Sequence, residues 1–359
     1  MSMKNTWMGL WGLMLLTFFG CSQNAEQNSG ENTSTSKKTS AERYLDYSGR
    51  DDLLSGGVKM IPVETPSGTF KVWTKRVGNN PDIKVLFLHG GPGGTHEFYE
   101  CADSYFPGAQ VEYYYYDQLG SYYSDQPDDP DLWDTPRFVE EVEQVRQALG
   151  LDKDNFYLLG QSWGGILAME YALKYQENLK GLIISNMMAS IPEYMTYADE
   201  VLGPQMPQDV YEEVMAMEEA EDYGNPRYLE LVVEHYYTEH VIRMPPEEWP
   251  DPVNRAFNHL NPEVYIPMQG PSEFGIKGDA KLKDWDRTDD LPKISVPTLV
   301  IGAEHDTMDP EHMEWMASEV QNGRYLHCPE GSHLSQFDDQ ETWFEGVIRF
   351  LKDVDNNKM

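Results

Sequence analysis

The chain has 359 residues, of which 40% are hydrophobic and 12% aromatic, a composition that allows a substantial folded core. Its 61 acidic residues outnumber its 27 basic residues, so the formal net charge at pH 7 is −34. A charge of this size and sign argues against nucleic acid and anionic membrane surfaces as binding partners, and we attribute it to an acidic, well-solvated surface.

The N-terminal segment, residues 1–21, is predicted to be an export signal. Lys4 is followed by a nearly continuous apolar run over residues 7–19, which is too short for a comfortable membrane span. Gly20 then directly precedes Cys21, an arrangement that resembles a bacterial lipoprotein signal. In that interpretation Cys21 carries lipid and anchors the protein at the bacterial cell envelope, with the folded domain outside the cytoplasm. An ordinary secretory signal is the alternative.

The next segment, residues 22–43, is polar and has no apolar periodicity, so we predict a flexible tether. Short apolar runs and helical patterns then alternate. The predicted strands cover residues 69–76, 83–88, 111–117, 156–159, 179–186, 297–302 and 324–328. The predicted helices cover residues 135–149, 165–175 and 343–351. Strands that alternate with helices predict an α/β fold with a mostly parallel, doubly wound sheet.

Residues 191–291 interrupt this alternation. They are rich in Glu, Tyr, Met and Pro, and their helical stretches have no strand pattern between them. We therefore predict a helical lid inserted between two parts of the core, residues 44–190 and 292–359. Such a lid would lie over the C-terminal ends of the strands.

Two glycine-rich motifs follow predicted strands. The second, GQSWGG at residues 160–165, has the form G-x-S-x-G, which is typical of the turn that presents a nucleophilic serine, here Ser162. The first, HGGPG at residues 89–93, is a loop that can point a backbone N–H at a developing oxyanion. The predicted oxyanion donors are the N–H groups of Trp163 and Gly91, since Pro92 has none.

A serine nucleophile needs a base and an orienting carboxylate. His333 and Asp306 each lie in a loop directly after a predicted strand, where active sites of open α/β sheets are built. The chain order Ser, Asp, His is that of the α/β hydrolases. Glu304 and Asp309 are the alternatives for the acid.

No metal or cofactor is predicted. The sequence has no H-E-x-x-H motif, no phosphate-binding G-x-x-x-x-G-K-[ST] motif and no zinc-like Cys/His spacing. A serine at the turn also excludes hydrolases that use a carboxylate nucleophile. Cys101 and Cys328 could pair in an exported protein or remain two free buried thiols, and the sequence leaves both possibilities open.

Several motifs together resemble the proline iminopeptidase family. They are HGGPGG at residues 89–94, YDQLG at 116–120, GQSWGG at 160–165, GPSEF at 270–274, LKDWD at 282–286 and GSH at 331–333. The resemblance covers about residues 44–351. It implies an α/β-hydrolase fold and release of an N-terminal residue, typically proline, from short peptides with a free N-terminus. A serine esterase or lactonase, an amino-acid amidase, and a non-catalytic surface lipoprotein are the rival interpretations, the last opposed by the complete Ser/Asp/His set.

The resemblance also implies how the substrate amine is bound. In the family, the Glu of G-P-x-E-F is an amine anchor, and here it is Glu273. Family members often have a second Glu directly after the triad Asp, where this chain has Thr307, so Glu304 is the weaker substitute candidate. The stretch SYYS at residues 121–124 also differs from the small residues expected, and we predict that it narrows or reshapes the pocket.

Overall fold

The computed structural model describes residues 38–359. The predicted signal, Cys21 and most of the predicted tether therefore lie outside the described residues. A short helix, α1 (Ser40–Tyr44), already begins within the last residues assigned to the tether. Thr39 caps it, since its hydroxyl accepts a hydrogen bond from the Glu42 N–H.

An eight-stranded sheet forms the centre of the molecule, with the strand order β1-β2-β4-β3-β5-β6-β7-β8. The strands are β1 (Val58–Thr65), β2 (Gly68–Val77), β3 (Lys84–Leu88), β4 (Glu112–Asp117), β5 (Phe156–Gln161), β6 (Gly181–Ser185), β7 (Thr298–Ala303) and β8 (Gly323–Cys328). Only β2 forms antiparallel pairs, with β1 and β4, and all other neighbours are parallel. The prediction of an α/β fold with a mostly parallel sheet is confirmed.

Helices cover both faces of the sheet and form the lid. They are α2 (Phe106–Ala109), α3 (Thr135–Leu149), α4 (Trp163–Tyr175), α5 (Ile191–Tyr197), α6 (Gln208–Glu219), α7 (Pro226–Val232), α8 (Asp251–His259), α9 (Pro262–Met268), α10 (Pro310–Glu319), α11 (Ser335–Asp338) and α12 (Gln340–Asp355). Shorter 3₁₀ segments are His96–Ser104, Pro130–Leu132, Gln176–Asn178, Gly203–Gln205, Pro246–Glu248 and Thr288–Lys293, and π-helical segments are Ala198–Leu202 and Val233–Val241.

The central strands are buried on both faces, which explains their continuous apolar sequences. Successive side chains of β5 enter different cores. Leu158 packs into the core that contains Phe138 of α3, whereas Leu159 packs into the core that contains Trp343 of α12. The sheet therefore has one hydrophobic core on each side, as a doubly wound fold requires.

The lid occupies the connection from β6 to β7. Between residues 191 and 293, the structure contains helices and turns but no strand. Several contacts attach the lid to the core, and two of them lie close to the loop after β3. Arg255 of α8 forms ion pairs with Glu97 and Glu100, and the Asn261 N–H donates to the Gly93 carbonyl oxygen at 2.9 Å. The lid is therefore joined to the 3₁₀ segment His96–Ser104 through α8 and to the Gly93 loop through the residue before α9.

Within residues 38–359, none of the helices combines the length and the apolar character that a membrane crossing requires.

Candidate active site

Ser162 lies on the turn between β5 and α4. Its backbone angles, φ 56° and ψ −128°, are strained for a residue other than glycine. The flanking glycines make the turn possible. A β-carbon on Gly160 would overlap the Gly164 carbonyl group, and one on Gly164 would overlap the carbonyl group of Leu88. The turn thus has the form of a nucleophile elbow, with the serine at the C-terminal edge of the sheet.

Asp306 and His333 follow neighbouring parallel strands, β7 and β8, and this brings them together. His333 Nδ1 lies 2.8 Å from Asp306 Oδ1, and both side chains are buried. The pairing places a proton on Nδ1 and leaves Nε2 as the basic nitrogen. Burial alone would lower the pKa of His333, but the charge and hydrogen bond of Asp306, together with the charges of Glu273 and Asp338, raise the pKa above its ordinary value.

Ser162 and His333 line the same cavity. His333 Nε2 is buried and has no hydrogen-bond partner within residues 38–359, so it is not yet bonded to the Ser162 hydroxyl. Such bonds often tighten only when substrate is bound. The side walls of the cavity are mainly apolar and come from Phe98, Val241, Phe257, Leu260, Tyr265 and Leu334.

The two predicted oxyanion donors come from the elbow and from the loop after β3. Trp163 is the first residue of α4, so its N–H is one of the amide groups left without a partner at a helix start. Gly91, with φ 111°, lines the cavity together with Ser162. Across the described chain, neither N–H donates to another backbone group. Both amides are therefore available to an oxyanion.

His89 supports this loop and is remote from proton transfer. Its Nδ1 donates to the Gly90 carbonyl oxygen at 2.8 Å, and its Nε2 accepts from the Gln118 N–H at 3.1 Å. Complete burial lowers the pKa of His89 to about 4. The imidazole is therefore neutral at physiological pH, with both nitrogens engaged in structural hydrogen bonds.

Glu273 lies in the lid and lines the cavity with Ser162 and His333. Three tyrosines hold it. The Tyr265 hydroxyl donates to Glu273 Oε1 at 2.5 Å, the Tyr194 hydroxyl donates to the Glu273 carbonyl oxygen at 2.7 Å, and the Tyr237 hydroxyl accepts from the Glu273 N–H at 2.9 Å. Burial raises the pKa of Glu273, while His333 and Tyr265 act in the opposite direction.

The prediction for Glu304 as a second amine anchor is wrong. Its N–H donates to the Cys328 carbonyl oxygen at 3.1 Å, so Glu304 extends the pairing of β7 with β8. Its side chain is 56% exposed and lies 3.4 Å from His327 Nε2, outside the cavity. Asp309, an alternative for the triad acid, instead caps the start of α10.

Thr307 occupies the position of the family's second Glu. Its hydroxyl lies 3.0 Å from His333 Nδ1 and 3.3 Å from Asp306 Oδ1, so it belongs to the Asp–His pair. Among residues 38–359, Glu273 is then the one carboxylate that lines the cavity. A substrate ammonium group would meet a single negative charge there.

Residues 121–124, which we predicted to narrow or reshape the pocket, do not line the cavity. Tyr122 stacks on His259 of the lid, with ring centroids 4.0 Å apart. Tyr123 is 50% exposed and packs against Trp73, with ring centroids 5.3 Å apart. Ser124 hydrogen-bonds to the Trp73 N–H and thereby keeps this loop against β2, so neither tyrosine lines the cavity.

The structure shows whether the two cysteines of the folded domain form a disulfide. Cys101 and Cys328 are both free thiols, and burial raises the pKa of each above its ordinary value. In the part of the chain that the structure describes, no group of three or more His, Cys, Asp or Glu side chains is arranged to hold a metal ion.

Sequence reasoning missed Asn186. Its Nδ2 donates to Asp306 Oδ2 at 2.7 Å, and its Oδ1 accepts from the hydroxyls of Ser185 at 2.6 Å and Ser335 at 3.0 Å. The predicted strand 179–186 ends at residue 186, whereas the structure ends β6 at Ser185 and so puts Asn186 at the C-terminal edge of the sheet. No sequence pattern indicates that Tyr194, Tyr237 and Tyr265 surround Glu273, because Tyr194 and Tyr237 lie far from it along the chain.

Comparison with known proteins agrees with this geometry. The family model for the α/β-hydrolase fold matches residues 84–340. The chain is 60% identical to proline iminopeptidase of Elizabethkingia meningoseptica, over 82% of this chain and 98% of that protein. It is 58% identical to the Flavobacterium johnsoniae protein of the same name, over 84% and 100%. The crystal structure of proline iminopeptidase from Mycobacterium smegmatis superposes with a TM-score of 0.74 at 28% identity, covering 84% of this chain and 100% of that one.

Proposed function

The chain belongs to the proline iminopeptidase family of α/β hydrolases, and from this membership we propose that it is a serine aminopeptidase that releases N-terminal proline from peptides. One observation carries the proposal within the site itself. A buried carboxylate, Glu273, lines the same cavity as Ser162 and His333. A serine esterase needs no such group, whereas an aminopeptidase must bind a cationic amino terminus beside the nucleophile.

The chemistry follows from the roles of three residues. Ser162 Oγ attacks the carbonyl carbon of the first residue, and His333 Nε2 takes the hydroxyl proton. The C–N bond then breaks, His333 returns the proton to the leaving amine, and an acyl-enzyme remains on Ser162. Water hydrolyses this ester by the same proton route. Asp306 holds the Nδ1–H tautomer and stabilises the imidazolium form throughout.

The cavity favours a small apolar residue with a secondary ammonium group. Phe98, Phe257 and Leu260 give it apolar walls that suit a pyrrolidine ring. Tyr265 occupies Glu273 Oε1, so the other oxygen, Oε2, is the free acceptor of the carboxylate. A prolyl ammonium has two N–H donors and a primary ammonium has three, so a single anchoring carboxylate leaves fewer donors of proline without a partner.

A panel of aminoacyl-naphthylamides tests the proposal. Prolyl-naphthylamide should be cleaved, and its N-acetylated form should be a poor substrate. Equal cleavage of free and blocked amines would rule out an aminopeptidase and favour an esterase or endopeptidase. Efficient hydrolysis of amino-acid amides, but not of peptides, would instead indicate an amino-acid amidase.

The Glu273→Gln variant should bind free-amine substrates ~10- to 100-fold less well. A charge-assisted hydrogen bond of this type contributes about 1.5–3 kcal/mol. Because the ammonium is present in ground and transition states alike, much of the loss should appear in KM, with a smaller loss in kcat from poorer positioning. Glutamine retains the acceptor for Tyr265, so the lid loop keeps its hydrogen bond.

Glu304→Gln is the matched control for that measurement. It also removes one carboxylate charge, two residues before Asp306. That charge, however, is carried by an exposed side chain outside the cavity. Its KM should equal that of the unmodified protein. N-acetylated substrates should be no worse for Glu273→Gln than for the unmodified protein. An equal rise of KM in both variants would show general electrostatics rather than a specific anchor.

We also propose that the protein is exported and anchored by lipid at Cys21, on the basis of the sequence of residues 1–21. Replacing Cys21 by Ser should move the protein from the membrane fraction to the soluble fraction of the native host, with its aminopeptidase activity unchanged. Mass spectrometry of the N-terminal peptide provides the direct measurement. An unlipidated unmodified protein in the soluble fraction would contradict the anchor.

A further inference from the structure

The YDQLG motif at residues 116–120 has no part in the mechanism above, yet its buried glutamine contacts the indole of Trp163 and the strand end at His89. Gln118 follows β4 directly and is 1% exposed. Its Oε1 accepts from the indole Nε1 of Trp163 at 2.9 Å. Its Nε2 donates to the carbonyl oxygen of His89 at 3.2 Å. One side-chain amide therefore joins the elbow to the strand end that leads into the Gly91 loop.

The backbone of Gln118 strengthens this connection. Its N–H donates to His89 Nε2 at 3.1 Å, and His89 Nδ1 donates to the carbonyl oxygen of Gly90 at 2.8 Å. A continuous chain of hydrogen bonds thus runs from Trp163 through Gln118 to the residue directly before Gly91. The loop itself has glycine at positions 90, 91, 93 and 94, so it has few side chains of its own to hold it in place.

We propose that Gln118 is a positioning residue that sets the distance between the two oxyanion donors, the N–H groups of Trp163 and Gly91. The inference rests on the proposed serine-hydrolase function. Oxyanion donors work only when they lie about 2.7–3.1 Å from the developing negative charge. Gln118 does not line the cavity, so it acts through these donors and not on the substrate.

The Gln118→Leu variant tests the role, because leucine has a similar size but no hydrogen-bonding group. Its kcat for prolyl-naphthylamide should fall ~10- to 100-fold, somewhat less than the 10²- to 10³-fold typical of deleting a donor. KM and the affinity for the product proline should change less than about 3-fold, since ground-state binding does not use the oxyanion donors. The affinity for a boronic acid analogue of proline, which forms a tetrahedral adduct with a serine nucleophile, should fall in parallel with kcat. Equal changes in kcat and product affinity would overturn the proposal.

A double-mutant cycle tests the contact with the elbow. Trp163→Phe keeps an aromatic ring but removes the indole N–H, and it should also lower kcat. When combined, Trp163→Phe and Gln118→Leu should give a variant within about 2-fold of the slower single variant, because both break the same connection. Fully additive losses in kcat would show independent effects and overturn the proposal.

Gln144→Leu is the structural control. The Gln144 amide bonds to the N–H and carbonyl group of Glu64 and so also bridges two segments, α3 and β1, but far from the cavity. It should lower the melting temperature without lowering kcat. If Gln118→Leu does not fold, Trp163→Phe removes the hydrogen bond to Gln118 Oε1 while Gln118 keeps its donor to His89, and its kcat should fall by a smaller factor. Unchanged kcat in a folded Gln118 variant would overturn the positioning role alone, whereas an active Ser162→Ala variant would overturn the proposed function.

Discussion

Replacing Ser162 by alanine should reduce kcat by roughly 10⁴- to 10⁶-fold, the range expected when a serine hydrolase loses its nucleophile. The fold should be retained. His333 Nε2 has no hydrogen-bond partner within residues 38–359, so loss of the Ser162 hydroxyl breaks no hydrogen bond to it, and alanine accepts the strained backbone of the elbow no worse than serine does. The residual kcat can be measured in fixed-time assays of purified protein at high enzyme concentration. A thermal melting curve of the same sample shows whether the fold is retained.

A fluorophosphonate probe and a matched serine sharpen this measurement. The unmodified protein should gain the mass of one probe adduct, and Ser162→Ala should gain none. Ser121→Ala is the control, because the Ser121 hydroxyl is buried and without a protein partner in the described chain, and lies outside the cavity. It should retain normal kcat and labelling. Retained turnover and labelling in Ser162→Ala would show that another nucleophile acts.

The local sequence was sufficient to predict the strands and the residues at their ends. β3, β5, β6 and β7 each contain a run of apolar residues because both faces are buried, and glycines mark the turn after β5. Parallel strands place their C-terminal ends at one edge of the sheet, so residues that follow different strands meet there. Ser162, Asp306 and His333 could therefore be grouped without knowledge of any distance between them.

Features with weak local patterns were not predicted. β1 lies at the edge of the sheet, buries only Ile61 and Val63, and contains Pro62, which is tolerated there because one side of an edge strand needs no partner. The 3₁₀ segment His96–Ser104 was also missed. Asp117 fixes its start, since the carboxylate accepts from the N–H and ring of His96. A contact between residues 21 positions apart leaves no periodicity in the sequence.

The residues that we predicted at the cavity but that lie outside it are held there by hydrogen bonds of their own loops. Glu304 and Asp306 are two positions apart after the same strand, and hydrogen bonding in the loop decides which of them faces inward. Glu304 continues the pairing with β8, whereas the Asp306 N–H turns back to the Ala303 carbonyl oxygen. Tyr122 and Tyr123 likewise lie outside the cavity, in a loop that Ser124 joins to β2 by a hydrogen bond.

Replacing Asp306 by asparagine should lower kcat by about 10⁴-fold, mainly because the histidine takes the wrong tautomer. The cause can be traced to Asn186. Its Oδ1 accepts two serine hydroxyls, so its Nδ2 must donate toward residue 306. An asparagine at 306 would therefore turn its oxygen toward Asn186 and its NH₂ group toward His333 Nδ1. The proton of His333 would move to Nε2, and the imidazole could not accept the proton of Ser162.

The pH profile provides a second readout of the same variant. His333 acts as a base only when neutral, and Asp306 raises its pKa, so kcat/KM of the unmodified protein should fall as the pH drops through a value above the ordinary His pKa. Without the carboxylate, the pKa of His333 falls, and the acid limb of the remaining activity should shift to lower pH. An acid limb at an unchanged pH would assign that titration to Glu273 instead, whose pKa is also raised.

A double variant, Asp306→Asn with Asn186→Asp, should recover ~10- to 100-fold of the lost kcat if the tautomer is the cause. Aspartate at 186 still accepts from the hydroxyls of Ser185 and Ser335, and it can also accept from the NH₂ group of an asparagine at 306. The amide oxygen would then face His333 Nδ1 and restore the Nδ1–H tautomer. Recovery should be incomplete. The carboxylate at position 186 contacts residue 306 and not the imidazole, so it stabilises the imidazolium form less than Asp306 does. Asn186→Asp alone should not raise kcat, and a double variant no faster than Asp306→Asn would show that loss of charge, not the tautomer, limits the reaction.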